Sequence, residues 1–301
     1  MILLDAAGLS ATRPGRPLFA DVAVTVNSGD RLAVVGLNGS GKSTLLRQLA
    51  GVDRPETGVV RRGRGARVVL LDQDAELQGT TVADVVGAGW EAASVLDRLG
   101  MGGRLDDAVA TMSGGEAKRV ALARALVEVG PPGDGGDDVL LVLDEPTNHL
   151  DIDAIAWLEE RLAAHRGGLI LVSHDRHVLD RVTTRILELD RGRSYVHEGG
   201  YASYLAARAD REERSARREQ VRRNLARAEL AWLRRGAPAR TRKPAARIAA
   251  ATALVDGRPD APARRGELDL AFGTPRLGDT VVELHGVGHR FGDGPWLFRE
   301  V

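Results

Sequence analysis

The chain has 301 residues, 43% of them hydrophobic, with 42 basic and 42 acidic side chains and no cysteine. It is longer than one small domain and apolar enough for a sizeable core, while disulfides and thiolate metal sites are excluded. No apolar run approaches the roughly 18 residues of a membrane helix, and the opening Met-Ile-Leu-Leu-Asp turns acidic too early for a secretory leader, so the expected compartment is the cytoplasm.

The first predicted element of consequence is the apolar strand Leu32 to Val35, followed by Gly-Leu-Asn-Gly-Ser-Gly-Lys-Ser-Thr at 36 to 44. This fills every slot of the phosphate-loop pattern G-x-x-x-x-G-K-[ST]. Gly36, Gly39 and Gly41, with Asn38 between them, let backbone N–H groups curl round a β-phosphate. The helix that begins near Lys42, Ser43 and Thr44 points its positive end at the same oxygens. Lys42 reaches the β/γ-phosphates and Ser43 can ligate Mg²⁺. Only three of the 42 basic residues are lysine (Lys42, Lys118 and Lys243), so position 42 is one where a compact ammonium is needed rather than a planar fork. An ATP or GTP site is expected.

Next in order, the strand Arg67 to Leu71 leads to Gln73, and Ser113-Gly114-Gly115-Glu116 precedes a helical stretch, Ala117 to Val127. A Gly/Pro/Asp stretch, Gly130 to Asp138, reads as a surface loop. The apolar run Val139 to Leu143 has the character of a strand buried on both faces of a parallel sheet, and it delivers Asp144-Glu145 at the carboxyl edge where nucleotides sit. Asp144 can hold Mg²⁺ through water and Glu145 can polarise an attacking water. A further strand, Leu169 to Val172, ends in Ser173-His174-Asp175, which places His174 to sense a γ-phosphate. Alone, Gln73 reads as a surface glutamine, Ser-Gly-Gly as a loop and His174 as a core histidine; their order and spacing reverse those readings.

These residues, in this order over positions 2 to 199, resemble the ATP-binding cassette proteins. Asp-Glu-Pro-Thr-Asn-His-Leu-Asp at 144 to 151 is similar to the ABC-F subfamily. The resemblance implies an α/β P-loop NTPase cassette at 1–199, with a parallel-sheet core and antiparallel β and helical subdomains. It also implies ATP and Mg²⁺ as cofactors, with Ser43, Gln73 and Asp144 around the metal. Glu145 and His174 become the catalytic pair, and Arg13 stands where the family stacks an aromatic on the adenine, a role its guanidinium can fill. Ser113, Gly114, Gly115 and Glu116 form the signature that closes the nucleotide site of an opposing cassette. The interval between Gln73 and Ser113 is short for the helical subdomain and leaves no room for the long arm that some ABC-F members insert there.

From Tyr201 the strand–helix alternation gives way to an Ala-rich, charged pattern, and residues 201 to 250 carry 14 basic against 5 acidic residues. Asp210 with Arg214, Glu213 with Arg217 and Glu219 with Arg223 stand at i,i+4, as on a solvated helix. No acid occurs between Glu229 and Asp256, where Arg234, Arg235, Arg240, Arg242, Lys243 and Arg247 crowd around Gly236, Pro238 and Pro244. The expectation is a hairpin of two helices, roughly 205 to 234 and 245 to 255, within a linker at 200–278 and with unpaired positive charge at its tip. Such charge attracts polyphosphate, and arginine favours RNA. By the resemblance, Arg234, Arg235, Arg240, Arg242 and Lys243 would contact RNA, with ribosome and tRNA as partners.

Val281 to Phe291 parallels Leu3 to Arg13, and Trp296 to Val301 parallels Pro17 to Val22, with one extra residue between. Residues 279–301 are therefore expected to start a second cassette, the required partner being the remainder of a longer chain or a second copy. Two rivals to action on the ribosome are the ATPase subunit of a membrane transporter and a DNA-associated ATPase. Residues 201 to 301 argue against the former.

Overall fold

The computed structural model describes residues 1–13, 16–73, 77–131, 136–234, 286–290 and 296–299. The chain divides into two units, Met1–Arg218 and Glu219–Val301.

The first unit is built on a six-stranded sheet in the order β5-β6-β7-β3-β8-β9. Its strands are β3 (Arg31–Gly36), β5 (Arg67–Leu71), β6 (Val139–Asp144), β7 (Gly168–Val172), β8 (Arg185–Asp190) and β9 (Arg193–Glu198). All are parallel except β9, which pairs antiparallel with β8 through a tight turn. Every residue of β6 and β7 is buried, as near-continuous apolar strands between two covering layers must be. Alternation sends successive side chains to opposite faces. Leu32, Val34, Leu140 and Val142 meet one core, and Ala33, Val35, Leu141 and Leu143 meet the other.

The first core is closed by an antiparallel sheet of β2 (Arg16–Asn27), β1 (Ile2–Arg13) and β4 (Thr57–Arg62), together with α1 (Lys42–Ala50). The second core is closed by helices: α2 (Val82–Val86), α3 (Trp90–Arg98), α4 (Gly114–Val129), α5 (Ile152–Ala164) and α6 (Arg176–Val182). The short interval after Gln73 therefore still holds α2 and α3, with a 3₁₀ turn at Val109–Thr111 leading into α4. Strand-to-helix alternation makes β5, β6, β7 and β3 run the same way, so their carboxyl ends share one edge of the sheet. That is the edge at which open α/β sheets hold ligands.

Helix α7 (Tyr201–Arg234) covers 34 residues. The three i,i+4 pairs read from the sequence all form: Arg214–Asp210 at 3.6 Å, Arg217–Glu213 at 2.6 Å and Arg223–Glu219 at 2.8 Å. The expected second helix of the hairpin lies outside the described residues.

In the second unit, β10 (His289–Arg290) pairs antiparallel with β11 (Trp296–Phe298). His289 faces Phe298 and Arg290 faces Trp296, with a register shift between the pairs. Near the start of the chain, Ala11 faces Phe19 and Thr12 faces Pro17, again with a shift between them. Under the sequence repeat these are the equivalent positions, so the same pairing and the same irregularity recur.

Candidate nucleotide site

The turn after β3 reverses the chain at the carboxyl edge, and its glycines have separate reasons. Gly39 and Gly41 have φ of 76° and 99°, the left-handed region that a side chain disfavours. At Gly36 a Cβ would stand 2.6 Å from the Leu189 carbonyl oxygen and 2.7 Å from Ser40 Oγ. Gly41 also packs against Leu18 and Phe19 of β2, where a Cβ would come within 3.0 Å of both side chains. Gly41 is the N-cap of α1 and has no side chain to cap with. The first N–H groups of that helix, at Lys42, Ser43 and Thr44, therefore keep their capacity to bind an anion.

Lys42 Nζ lies 3.0 Å from the Gly36 carbonyl oxygen and 3.4 Å from that of Leu37, so the ammonium is folded into the loop's own concavity. Burial lowers its pKa, opposed by the charges of Glu145 and then Asp144. Ser43 Oγ stands 3.4 Å from Gln73 Oε1. That approach is held by Arg47, one turn along α1, which bonds Asp72 beside Gln73 and also Asp53 at 2.7 Å.

Asp144 ends β6 and is 5% exposed. Glu145 follows with φ of 52°, an uncommon conformation for a non-glycine residue and one found where surrounding structure over-determines a functional backbone. Its N–H donates to the Val172 carbonyl at 2.9 Å, which ties the end of β6 to the end of β7. The carboxylate accepts from the His174 N–H at 3.2 Å, and its Oε1 lies 3.4 Å from His174 Nε2. Oε1 is shielded from solvent and makes no hydrogen bond among the described residues.

The structure thus brings Lys42, Ser43, Gln73, Asp144, Glu145 and His174 to one edge of the sheet, as the sequence reading expected. Arg13 is exposed at the end of β1, opposite Arg16 in register. Asn38 and Thr44 lie in the loop and in the first turn of α1. Arg234 closes α7, while Arg235, Arg240, Arg242 and Lys243 lie outside the described residues.

At the start of α4, Ser113 is the N-cap and forms a reciprocal capping box with Glu116. Ser113 N and Oγ donate to Glu116 Oε2 at 2.8 and 2.7 Å. Arg104 bonds the other oxygen of Glu116 and holds Asp107 at 2.6 Å. Arg104 first and Ser113 second hold the Glu116 carboxyl down at about 2. Sequence reasoning missed Arg104, and with it Lys118 and Arg119 of α4, which line a cavity with Gln73, Asp144, Glu145 and Asn148. The full signature-to-helix pattern could have pointed to the last two; Arg104 had no periodic signal.

The residues fit the groups that the phosphate loop implies. Ser43, Gln73 and Asp144 offer only oxygen donors, the set that suits a hard divalent cation. Among the described residues no cluster of three or more His, Asp or Glu side chains could hold a metal unaided.

Residues 19–148 match the family model described as "ABC transporter". The chain is 36% identical over 95% of its length to the "uncharacterized ABC transporter ATP-binding protein YfmR" of Bacillus subtilis strain 168, covering 52% of that protein. It is 33% identical over 94% of its length to the "energy-dependent translational throttle protein EttA" of Mycobacterium tuberculosis, covering 58% of that protein, and 32% identical over 93% to EttA of Escherichia coli K12. This chain is an ATP-binding cassette protein of the ABC-F subfamily. The ABC-F chain spans about half the length of these curated relatives. Among solved structures, an ATP-binding subunit of an ABC transporter superposes with a TM-score of 0.50 and 23% identity, over 65% of this chain and 90% of that one, and shares its fold. No helix among the described residues is long and apolar enough to cross a membrane.

Proposed function

We propose that this ABC-F protein binds and hydrolyses ATP with Mg²⁺, and that nucleotide-driven closure of two cassettes moves a basic helical linker against ribosomal RNA or tRNA in the cytoplasm. The carrying observation is the convergence of Lys42, Ser43, Gln73, Asp144, Glu145 and His174 from four segments on one sheet edge. Lys42 holds the β/γ-phosphates, and Ser43, Gln73 and Asp144 hold the metal, which neutralises phosphate charge when bound. Glu145 orients and takes a proton from water, and His174 reports the γ-phosphate to it. The Glu145 carboxylate suits that task because its Oε1 lies 3.4 Å from Nε2 of His174, which joins the two at the end of the sheet.

The Ser113–Glu116 turn serves another cassette's nucleotide in this reading. Residues 1–199 form the first cassette, 200–278 the linker and 279–301 the opening strands of a second. The repeated β10–β11 register and the share of the relatives' length that the chain covers support that division. Likeness to proteins named as translational throttles supports action in translation. A transporter subunit and a DNA-associated ATPase are less favoured, since those throttle proteins match the chain through its linker. Regulation of translation and protection from an antibiotic both remain within this class of activity.

The linker is tested by sedimenting the protein with ribosomes across a salt series. Replacing Arg234, Arg235, Arg240, Arg242 and Lys243 should weaken binding and flatten its log–log salt slope by about 0.7–0.9 per lost phosphate contact. Replacing Arg214, Arg217 and Arg223, which have carboxylate partners, should cost less. Equal losses from both sets would defeat the assignment.

A further inference from the structure

Two consecutive residues past the end of β5 meet one face of α1. Ser43 Oγ stands 3.4 Å from Gln73 Oε1, and Arg47, four residues further along the same helix face, donates through Nη1 to Asp72 Oδ2. The last register pair of β5 with β6 is Leu71 with Leu143, so Asp72 and Gln73 lie beyond the residues that the strand pairing fixes. Gln73 is exposed. Its place opposite Ser43 is therefore inherited from its neighbour Asp72 rather than from packing of its own side chain.

The guanidinium that holds Asp72 is aimed by its other bonds. Arg47 Nε and Nη2 fork onto Asp53, at 2.7 Å from Oδ2 and 3.1 Å from Oδ1, the bidentate geometry that sets an arginine in one plane. Asp53 is itself placed by the end of α1. The N–H groups of Val52 and Asp53 both donate to the Arg47 carbonyl, at 2.9 and 3.2 Å, after the chain turns at Gly51 with φ of 72°. Arg62 of β4 donates to the carbonyl of Ala50, the last residue of the helix. With Nε and Nη2 committed to Asp53, Nη1 faces Asp72 in one orientation. The Asp72 side chain is 18% exposed, which limits competition from water for that bond. A lysine would lack the fork and could not serve both carboxylates in this way.

We propose that Arg47 is a positioning residue for the divalent cation: by holding Asp72 it keeps Gln73 opposite Ser43 and so strengthens metal binding once nucleotide is in place. This rests on the reading that Ser43 and Gln73 are metal donors. Partners that orient a metal's ligands are commonly worth ten- to a hundredfold in metal affinity, about the size of effect expected here.

The test measures Mn²⁺ affinity, by the EPR signal of the unbound ion, for the 301-residue chain saturated with a non-hydrolysable ATP analogue. Arg47→Met should weaken Mn²⁺ binding about tenfold, while the analogue's Kd without metal stays within about twofold. Asp72→Asn leaves the guanidinium and its fork on Asp53 in place and should weaken Mn²⁺ binding similarly, which guards against a folding defect in the first variant. Gln73→Ala should do the same. Adding it to Arg47→Met should cost little more, because both changes act through one contact.

Wild-type Mn²⁺ affinity in Arg47→Met and Asp72→Asn, alongside a loss in Gln73→Ala, overturns the proposal. Losses that add in full in the double variant overturn it as well. So does weaker analogue binding without metal together with unchanged Mn²⁺ affinity, which would make Arg47 a support of the phosphate loop alone. Wild-type Mn²⁺ affinity in Gln73→Ala would instead defeat the donor reading beneath the proposal.

Discussion

Arg211 of α7 donates through Nη2 to Glu188 Oε2 of β8, so the helix that leaves the cassette is bolted to its central sheet by a buried carboxylate. Glu188 is 3% exposed. It also takes the Tyr204 hydroxyl at 3.3 Å and faces His197 Nε2 at 3.3 Å, with Arg208 Nε at 3.9 Å. Tyr195 of β9, opposite Glu188 in register, stacks under the Arg211 guanidinium at 4.3 Å. Burial, and then the Glu188 charge, push the Tyr204 hydroxyl up to about 12. A buried carboxylate with several donors is satisfied only as a set.

Glu188→Ala should therefore destabilise the cassette by about 2 kcal/mol, below the usual cost of breaking a fully buried pair because both arginines keep access to water. Thermal unfolding should show a fall of roughly 4–8 °C. Hydrogen exchange over Tyr204 to Arg211 should rise with it. Glu188→Gln, which keeps the shape but not the charge, should fall between. An unchanged melting temperature and unchanged exchange would show that α7 is not anchored here.

Lys42→Ala should weaken ATP binding about 10- to 150-fold, the range for losing a charged hydrogen bond of roughly 1.5–3 kcal/mol. Lys42→Arg should rescue little, because a planar fork does not fit a concavity now holding one ammonium against the Gly36 and Leu37 carbonyls. Equilibrium titration with a fluorescent ATP analogue measures both, and equal affinity in all three proteins would remove Lys42 from the site.

Glu145→Gln should keep ATP binding while slowing hydrolysis about 10²- to 10⁴-fold in a protein with two cassettes, as expected for loss of a general base. The 301-residue chain alone should turn over slowly, with a rate per molecule that rises with protein concentration as copies pair. Single-turnover assays decide this. Fast turnover independent of concentration would mean that one cassette suffices.

His165 should make stability depend on pH. It is 7% exposed, with Nε2 3.2 Å from the Gly168 carbonyl oxygen, and burial first, then the Arg31 charge, lower its pKa. Below the ordinary imidazole value, near 6.5, the unfolded chain takes up a proton that the folded one resists. Stability should fall with pH in that window, by at most about 1.4 kcal/mol per pH unit from this group. Chemical denaturation between pH 7 and 5 should show a shallower pH slope in His165→Gln than in the wild-type chain, whatever their absolute stabilities. Parallel slopes would relieve His165 of this role.

Much of the site was legible because its parts are local. The phosphate loop is a contiguous run, and the apolar strands β6 and β7 announce their own burial and end on Asp144-Glu145 and Ser173-His174. The α7 ion pairs follow from a spacing of four residues on one helix, and the pairing of β10 with β11 follows from a sequence repeat of the first two strands, whose register recurs there. By itself the sequence determined the fold class, the sheet edge at which the phosphate loop meets Asp144-Glu145 and His174, and the helical character of residues 201 to 234. Tertiary structure alone chose Arg104 as the partner of Glu116, Arg47 as the clamp on Asp72 and Glu188 as the anchor of α7. Those choices join residues that are separated in sequence and follow no period. In a chain with 39 arginines, charge type cannot single out a partner; only packing brings one guanidinium within reach of one carboxylate and keeps the others in water.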